Sequence, residues 1–376
     1  MTAAHDAIER IEVALGTRGY DILIGEGVIR YAGRLCSDLI AGRRLHIVAD
    51  AALADTRLPE LAAALAGQAR AVRRLVLPAG ECLKTLSAIE EAATRLTAEG
   101  VERGDLLIAL GGGTIGDFTG FLAAILLRGI DFIQIPTTLL AQVDSSVGGK
   151  TGVNLETGKN LIGAFHQPRR VLIDIAALES LSLRERRAGY AEIVKYALID
   201  DAAFFDWLES HGETLLAGDP SALRQAIATS CRAKARIVAA DERERGRRAL
   251  LNLGHSFGHA LESAAGYDGS LLHGEAVAIG MVMALDLSVR LGMAPARDRD
   301  RLCAHLAACG LPTRPDALGH RFEADALLRH MDKDKKVADG RIVLVLLEGI
   351  GRAVLHRDMD RARLREHLVD CLAPAS

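Results

Sequence analysis

The sequence lacks most features that mark secreted, membrane-spanning or nucleic-acid-binding proteins. Its six cysteines form no Cys-x-x-Cys pair, and their spacing fits neither a zinc knuckle nor a disulfide framework. The formal net charge is only −3, so no overall field attracts nucleic acid or an anionic membrane. The longest apolar stretch, near Phe118–Leu127, is shorter than the roughly 20 residues that span a bilayer, and Met1–Arg10 has no apolar signal core. We therefore expect a cytoplasmic protein that binds neither membrane nor nucleic acid.

The chain of 376 residues is long enough for two domains, and its 49% hydrophobic and 25% charged residues are typical of globular proteins. In the first half, strand-like and helix-like segments alternate, with helical stretches such as Leu58–Ala66 and Ser87–Glu99 between several strands. This pattern predicts a mostly parallel sheet built from βαβ units. The strand candidates are short and rich in Val, Ile and Leu, as in strands covered on both faces: Tyr20–Ile24, Leu45–Ala49, Val72–Leu77, Leu106–Leu110, Phe132–Ile135 and Val171–Ile175.

Helical periodicity dominates from about Ser180 onward. One late strand pair, Arg341–Leu347 with Ala353–His356, is joined by Glu348–Gly351. We predict a Rossmann-like α/β domain over residues 1–174 and a mainly helical domain over residues 175–376. The helix candidates are Leu183–Leu198, Phe204–Leu216, Ser221–Ala240, Gly254–Ser263, Gly274–Leu291 and Asp298–Ala308.

A glycine-rich turn, Gly111–Asp117, follows directly on the strand candidate Leu106–Leu110 and precedes a helical segment. It fits the pattern Gly-x-Gly-x-x-Gly, in which glycines let the backbone approach a pyrophosphate and the helix N-terminus offers free N–H groups. However, the acid about 20 residues further on, Asp131, begins a strand and does not end one, which departs from the usual dinucleotide fingerprint. The turn alone leaves two interpretations, an atypical dinucleotide site or a tight turn without a ligand.

A second polar segment contains Asp144, Lys150, Lys159 and Asn160. The stretch Gly148–Gly152 is loop-like and lacks the glycine spacing of a P-loop. Its lysines can contact phosphate or carboxylate as point charges, or they can belong to a solvated basic loop. Asp144 lies among apolar and small residues, and carboxylates are rarely buried without a partner, so we expect it to be paired.

His255 and His259 are four residues apart on a predicted helix and therefore share one face. Their spacing favours a site where both bind a divalent metal, completed by His273 and Glu192. The alternative is a pair of structural histidines. The sequence is not His-Glu-x-x-His, which argues against a zinc protease, and a His/Glu set with an open position suits a catalytic metal.

Long motifs over nearly the whole chain, densest from residue 105 to 285, resemble those of the 3-dehydroquinate synthase family. They are far more specific than the short patterns above. The matching runs are Gly111–Asp117, Gln134–Lys150, Gly158–Phe165, Tyr190–Lys195, Leu250–His259, Leu272–Val277 and Asp334–Lys336.

The resemblance implies the dehydroquinate synthase-like fold and a homodimer. It implies conversion of 3-deoxy-D-arabino-heptulosonate 7-phosphate into 3-dehydroquinate and phosphate, a step of the shikimate pathway. A hydroxyl would be oxidised transiently by NAD⁺, phosphate would leave by β-elimination, and reduction, ring opening and an intramolecular aldol reaction would follow. Zinc or cobalt would be held by Glu192, His255 and His273, which replaces the first expectation for His259. That histidine would instead hydrogen-bond or relay a proton.

The motif match also implies roles for individual residues. Catalysis would involve Lys150, Lys195, Lys234, Asn252, His259 and Asp144, of which Lys195, Lys234 and Asn252 would face the carboxylate and hydroxyls. The substrate phosphate would be held by Lys150, Asn160, Arg248, Lys335 or its neighbour Lys336, and Arg128 of a neighbouring subunit. NAD⁺ would be held by Asp50, Glu81, Lys84, Gly113, Thr114, Ile115, Gly116, Asp117, Thr137, Thr138, Asp144, Lys150 and Lys159. Cys82 and Leu83 stand where the family pattern has more polar or aromatic residues.

Three other functions remain open at this point. Relatives of the same superfamily act on sedoheptulose 7-phosphate, but the matches at Lys234, Arg248 and Asn252 favour the dehydroquinate synthase pattern. A metal-dependent alcohol or glycerol dehydrogenase would need fewer anion-binding lysines and would accumulate NADH. A catalytically inactive relative is disfavoured because Glu192, His255, His273, Lys150 and Asp144 are all present.

Overall fold

The computed structural model describes residues 8–155, 158–266, 269–333, 337–338 and 341–373. The chain divides into two compact units. The first contains the described residues up to Leu181 together with Leu223–Arg243, and the second contains Ser182–Ala222 and the described residues from Glu244 onward. Leu223–Arg243 thus belongs to the first unit, although it follows the predicted boundary at residues 174 and 175. The assignment of a cofactor-binding domain and a metal-binding domain stays a prediction.

A seven-stranded sheet with strand order β1-β2-β9-β6-β5-β3-β4 lies at the centre of the first unit. The β1–β2 pair is antiparallel and every other neighbouring pair is parallel, which confirms the predicted α/β class. Strands of this unit are β1 (Glu9–Val13), β2 (Tyr20–Gly25), β3 (Arg44–Asp50), β4 (Ala71–Leu77), β5 (Leu106–Gly111), β6 (Asp131–Pro136), β7 (Lys150–Leu155), β8 (Gly158–Phe165) and β9 (Arg170–Asp174). Helices are α1 (Ala32–Leu35), α2 (Ser37–Ile40), α3 (Arg57–Ala66), α4 (Leu86–Ala98) and α5 (Gly113–Ile125).

Burial along the sheet explains why its strands read as apolar runs. All six residues of the central strand β5 are buried. In β3 the inner five residues are buried and the two end residues are partly exposed. The edge strand β4 is different, because only Leu75 and Leu77 are buried and Val76 is 38% exposed. The expectation that Val72–Leu77 is covered on both faces is therefore wrong, since an edge strand has one neighbour fewer.

The hairpin of β7 and β8 lies outside the main sheet, and the sequence did not predict it. Its strands pair antiparallel, with an irregularity between Val153 and Leu155. Val153 is buried in the apolar cluster beneath α5, with Ile162 packed against it. Leu161 and Phe165, on the other side of β8, are 41% and 46% exposed. Lys150 and Thr151 thus begin a strand, where a loop had been expected.

A strained turn follows α5. Leu127 and Arg128 have φ angles of 52° and 71°, and Gly129 follows with 119°. Two consecutive non-glycine residues in the left-handed region cost on the order of 1–3 kcal/mol each, so the surrounding structure must hold them. The turn leaves Arg128 exposed.

The second unit is mainly helical, as predicted. Its first long helix begins with a capping box, in which Ser182 and Glu185 satisfy each other's backbone N–H groups. None of the helices that the structure describes is long and apolar enough to cross a membrane. The helices are α6 (Leu183–Asp200), α7 (Ala202–Leu216), α8 (Pro220–Ala240, most of which belongs to the first unit), α9 (His255–Ala264), α10 (His273–Arg290), α11 (Ala296–Ala308), α12 (Ala324–Lys333) and α13 (Arg361–Leu372).

The late strands differ from the expectation. Strand β12 (Leu344–Leu347) pairs with β13 (Ala353–His356), as predicted, but Arg341 and Ile342 form the separate short strand β11, which pairs with β10 (Val337–Ala338). The predicted single strand Arg341–Leu347 is therefore wrong. Helices α12 and α13 were not predicted.

Glycines allow α9 and α10 to pack at backbone distance. A Cβ atom on Gly280 would lie 2.0 Å from the carbonyl oxygen of Gly254, the residue before α9. A Cβ atom on Gly274 would lie 1.9 Å from the carbonyl oxygen of Ala188 in α6. Because neither neighbour is a flexible side chain, these contacts fix the spacing of α6, α9 and α10.

We expect Gly280→Ala to destabilise the protein by about 1–3 kcal/mol, because the added methyl group must push two backbones apart. Thermal unfolding of the variant measures this loss. Gly67→Ala is the matched control, since nothing lies within 4 Å of its Cβ position and its φ of −75° suits alanine. Equal melting temperatures for Gly280→Ala and wild type would contradict the packing argument.

Candidate functional site

The glycine turn lies at the carboxyl edge of the parallel sheet. Strand β5 ends at Gly111, and α5 begins at Gly113 after Gly112 as its N-cap. The next strand, β6, leads into Thr137, whose N–H donates to the Gly111 carbonyl at 3.0 Å. A strand-to-helix turn at this edge, with free N–H groups of a long helix, is where α/β proteins bind phosphate groups.

The glycines of the turn lie close to neighbouring side chains. A Cβ atom on Gly113 would lie 2.9 Å from Ser145 Oγ, and one on Gly116 would lie 2.8 Å from Gln134 Oε1. Ile115 between them is buried, whereas Thr114 and Asp117 are partly exposed. Thr114 and Asp117 therefore lie at the surface, at the start of α5.

Lys84 is at the centre of a polar network beside this turn. Its buried ammonium donates to Asp117 Oδ2 at 2.7 Å and to Asn160 Oδ1 at 2.6 Å. Burial lowers the pKa of Lys84, but Asp117 and Glu81 outweigh it and raise the pKa above its usual range. Glu81 extends the network, since it accepts hydrogen bonds from Asn154 Nδ2 at 2.8 Å and Thr114 Oγ1 at 3.2 Å.

This network contains four residues that the resemblance implies for NAD⁺, namely Glu81, Lys84, Thr114 and Asp117. It also contains Asn160, which was expected to hold the substrate phosphate. Asn160 has a left-handed φ of 53°, and its N–H donates to Asn154 Oδ1 at 2.9 Å. Leu83 is buried in the core, whereas Cys82 is exposed, so of the two departures from the family pattern only Cys82 lies at the surface.

Asp144 has the partner that its sequence setting requires. It lies in a π-helical turn, Ala141–Ser145, and its Oδ1 accepts from Lys234 Nζ at 2.6 Å. The same ammonium donates to the Asp144 carbonyl at 2.7 Å. Lys234 comes from the part of α8 that belongs to the first unit and is 6% exposed. The structure thus brings these two predicted residues together.

Other predicted residues of the first unit are spread along the sheet edge and the hairpin. Asp50 ends β3, where its carboxylate accepts from Ala52 N at 2.9 Å. Thr138 follows Thr137, and its methyl group would lie 3.1 Å from a Cβ on Gly112. Lys150 is exposed and Lys159 is partly exposed, each on the hairpin. Their assigned roles stay predictions.

In the second unit, a buried carboxylate faces two histidines. Glu192 on α6 has no exposed surface, and neither of its oxygens has a well-oriented hydrogen bond within the described residues. Oε1 lies 3.5 Å from His255 Nε2 and 3.4 Å from His273 Nε2. Two ligands at tetrahedral angles, each about 2.1 Å from one ion, lie about 3.4 Å apart. These residues therefore fit a divalent metal ion.

Each histidine is oriented through its other ring nitrogen. His255 Nδ1 lies 3.1 Å from the Leu253 carbonyl, and His273 Nδ1 lies 3.4 Å from Glu262 Oε2. Both Nε2 atoms consequently point at Glu192, which is the arrangement of metal-binding histidines held by neighbouring oxygens. Burial lowers the pKa of His273, but Glu192 and Glu262 outweigh it and raise the pKa to about 10.

His259 lies beside this cluster. Its ring is T-shaped to that of His255 at 5.3 Å, and its donor atoms form a group with Glu262 and His273. It is absent from the group that contains Glu192, His255 and His273. His255 and His259 therefore lie side by side, but their nitrogen atoms belong to two different groups of possible metal ligands.

Lys195 contacts Glu192 one turn further along α6, and both side chains are buried. Arg248 is also buried, at 1% exposure. Asn252 Nδ2 donates to Glu244 Oε1 at 2.9 Å. Lys335 and Lys336 lie outside the described residues, and Arg128 is on the exposed turn of the first unit.

Sequence reasoning missed three polar residues that hold predicted ones in place: Asn154, Glu244 and Glu262. Asn154 bonds Glu81 and Asn160, and Glu244 bonds Asn252 from a left-handed conformation with φ of 56°. Glu262 could have been found, because it follows His255 by seven residues and shares the helix face of His255 and His259. Asn154 reaches Glu81 from strand β7, and Glu244 reaches Asn252 from a left-handed backbone position; no spacing pattern predicts either contact.

Comparison with solved structures defines the class of the protein. The chain is similar to 2-deoxy-scyllo-inosose synthase complexed with carbaglucose-6-phosphate, NAD⁺ and Co²⁺, with a TM-score of 0.88 and 26% identity over 97% of this chain and all of that one. It is also similar to 2-epi-5-epi-valiolone synthase of Streptomyces hygroscopicus with NAD⁺ and Zn²⁺ bound, with a TM-score of 0.85 and 31% identity over 94% and 96% of the two chains. The fold is that of these synthases.

Sequence comparison identifies the family. The family sequence model for the N-terminal region of 3-dehydroquinate synthase matches residues 74–188. The family sequence model for the C-terminal region matches residues 189–337. A 3-dehydroquinate synthase of Rhodospirillum rubrum is 57% identical over 366 residues, which cover 97% of this chain and 95% of the relative. The chain belongs to the 3-dehydroquinate synthase family.

The buried pair of Glu192 and Lys195 is expected to be strongly coupled in metal-free protein. Glu192→Leu or Lys195→Met alone leaves one charge buried without its neighbour, which costs about 3–5 kcal/mol. The double variant removes both charges and should lose far less than the sum of the single variants. Urea unfolding in the presence of a chelator measures the three free energies.

The exposed pair of Arg352 and Glu348 is the control, because its charges are 71% and 43% exposed and should couple by less than about 1 kcal/mol. Additive losses for Glu192→Leu and Lys195→Met would show that the two charges do not stabilise each other.

Proposed function

We propose that the protein is a 3-dehydroquinate synthase, a carbon–oxygen lyase that converts 3-deoxy-D-arabino-heptulosonate 7-phosphate into 3-dehydroquinate and phosphate. The observation that carries this proposal is the 57% identity over nearly the whole chain to a relative of that name. Identity to the two solved synthases, which carry other names, is only 26% and 31%. The relative at 57% identity therefore supports the dehydroquinate synthase function over the sedoheptulose 7-phosphate alternative.

The proposed cofactors are NAD⁺ and a divalent metal ion, zinc or cobalt. Both solved synthases carry NAD⁺ with such an ion. Bound together, they would supply a hydride acceptor and a Lewis acid for a substrate hydroxyl. Glu192, His255 and His273 would hold the ion, and their donor atoms lie within 4.8 Å of one another.

In the first unit, we assign NAD⁺ to the carboxyl edge of the sheet. The N-terminus of α5 offers N–H groups to a pyrophosphate, and the Lys84 network fixes Asp117 and Glu81 beside it. Asp50, Thr137, Thr138, Asp144, Lys150 and Lys159 complete the assigned set. Asp144 holds the ammonium group of Lys234 in a fixed position, from which Lys234 would bind the carboxylate of the substrate.

In the second unit, Lys195, Asn252 and Arg248 are assigned to the substrate. Lys195 places a buried positive charge next to Glu192, where it would stabilise negative charge on a substrate oxygen. Glu244 fixes the amide of Asn252. His259, beside the ligand histidines, would accept or return a proton of a substrate hydroxyl.

The reaction itself gives the decisive test. Purified protein loaded with zinc or cobalt should release phosphate from 3-deoxy-D-arabino-heptulosonate 7-phosphate only when NAD⁺ is present, form 3-dehydroquinate, and accumulate no NADH. His259→Ala should release phosphate more slowly by about 10²–10⁴-fold if it moves a proton. His211→Ala, on an exposed part of α7, is the control and should match wild type.

Two outcomes would contradict the proposal. Release of phosphate from sedoheptulose 7-phosphate alone would favour the other cyclase, and net formation of NADH would favour a dehydrogenase.

We also propose a cytoplasmic homodimer, in which the exposed face of β8 meets a second copy of the chain. Leu161 and Phe165 give this face an apolar surface, and Ile125 at the end of α5 is 47% exposed. Burying such side chains stabilises an interface by roughly 25 cal/mol for each Å² removed from water.

Phe165→Asp should weaken self-association, because the dimer would have to bury a carboxylate. Sedimentation velocity over a concentration series would show a shift from dimer to monomer. Val369→Asp is the control, since Val369 is similarly exposed at 44% but lies on α13. Dimers of equal strength in wild type and Phe165→Asp would place the interface elsewhere.

A further inference from the structure

Glu262 is a buried carboxylate to which the proposed function assigns no role. It lies on α9, is 5% exposed, and directs Oε2 at Nδ1 of His273, 3.4 Å away. Water cannot solvate this charge, so its placement is costly unless the histidine or another donor compensates it. A purely structural charge at such a position is disfavoured, because an apolar side chain would fill the same space at lower cost.

The helix geometry explains how Glu262 reaches this position. His255, His259 and Glu262 are spaced at i, i+4 and i+7 and lie along one face of α9. That face lies against the first turn of α10, where His273 is the first residue. One face of α9 therefore carries both His255, a proposed metal ligand, and Glu262, which contacts the second histidine ligand, His273.

The two nitrogens of His273 face different partners. Nε2 lies 3.4 Å from Glu192 Oε1, and Nδ1 lies 3.4 Å from Glu262 Oε2. Because ring nitrogens point in different directions, an ion bound at Nε2 is out of reach of Glu262. The carboxylate can instead fix the tautomer that leaves the Nε2 lone pair free, and it can hold the ring against rotation.

Charge balance gives a second reason for a carboxylate here. A divalent ion beside Glu192 and the buried ammonium of Lys195 would leave a net positive charge in a water-poor setting. Glu262 adds a negative charge behind the ligand His273. It therefore stabilises the bound ion as well as orienting its ligand.

We propose that Glu262 is a positioning residue of the metal centre, which fixes His273 as a ligand and raises the affinity for the ion. This inference rests on the proposed metal centre at Glu192, His255 and His273. Glu262 itself binds neither the ion nor the substrate, so its loss should change the affinity and ligand field of the metal before it changes the substrate KM.

The test is metal affinity, measured with Zn²⁺ and Co²⁺ by competition with a chelator. Glu262→Gln keeps the size of the side chain and removes its charge, and Glu262→Ala removes the hydrogen-bond acceptor as well. We expect the Kd for the metal to rise about 10–100-fold in Glu262→Gln and at least as much in Glu262→Ala. The visible absorption of the Co²⁺ form should shift in both variants, because Glu262→Gln weakens the hydrogen bond to His273 and Glu262→Ala removes it.

Asp298→Asn is the matched control. Asp298 is a buried carboxylate of the same unit, 9% exposed, which accepts from the N–H of Ile350 at 3.1 Å. Its loss should lower thermal stability without changing the Kd for the metal or the Co²⁺ spectrum. A merely structural role for Glu262 would give this same pattern and would overturn the inference.

The outcomes also separate this inference from the proposed function. Tight binding in wild type that is lost in His273→Ala but unchanged in Glu262→Gln would overturn the role of Glu262 and leave the metal centre intact. Equal affinity in wild type and His273→Ala would overturn both, because the centre would then lie elsewhere.

Discussion

Glu192 places a negative charge where water does not reach it, and much of the second unit is arranged around that constraint. A buried carboxylate is tolerated only when it is paired or binds a metal ion, and here Lys195, His255 and His273 approach it from α6, α9 and α10. These three helices must therefore keep fixed distances from one another. Gly274 and Gly280 meet that requirement, because they let backbones touch without intervening side chains.

The first unit also contains buried charges, and these belong to two lysines. Lys84 and Lys234 are both buried, and each is tied to an aspartate, Asp117 and Asp144 respectively. A lysine held in this way keeps its charge and its direction, whereas a lysine on a mobile loop would lose side-chain entropy on meeting an anion. The ammonium groups of Lys84 and Lys234 are thus set in place by the protein before any ligand arrives.

Sequence patterns predicted the parts of the fold that follow from local rules. Six of the seven sheet strands, all except β1, and eight helices were predicted because short apolar runs and helical periodicity leave a direct signature in the sequence. The hairpin of β7 and β8 was missed because its glycines and lysines resemble a loop, while its stability depends on packing of Val153 beneath α5. Helices α12 and α13 were missed for the same kind of reason, since their patterns are short and highly charged.

For the candidate site, the long family motifs indicated nearly every residue that the structure brings together. The spacing of His255 and His259 alone predicts that both bind one ion, whereas their donor atoms lie in two different groups of possible ligands. Glu192 and His273 come from other helices, and only tertiary packing brings them to His255. The same limit explains why Glu244 and Asn154 were missed, since tertiary packing brings Asn154 to Glu81 and a left-handed backbone position brings Glu244 to Asn252.

The chain leaves the first unit after Leu181 and returns to it with Leu223–Arg243. During synthesis, a ribosome that has completed the seven-stranded sheet must still add Ser182–Ala222 before Lys234 exists to neutralise Asp144. The nascent first unit therefore carries a partly buried carboxylate without its cation for that interval. We expect this contact between distant residues to form late, since the first unit is completed only after Ser182–Ala222 of the second unit has been synthesised.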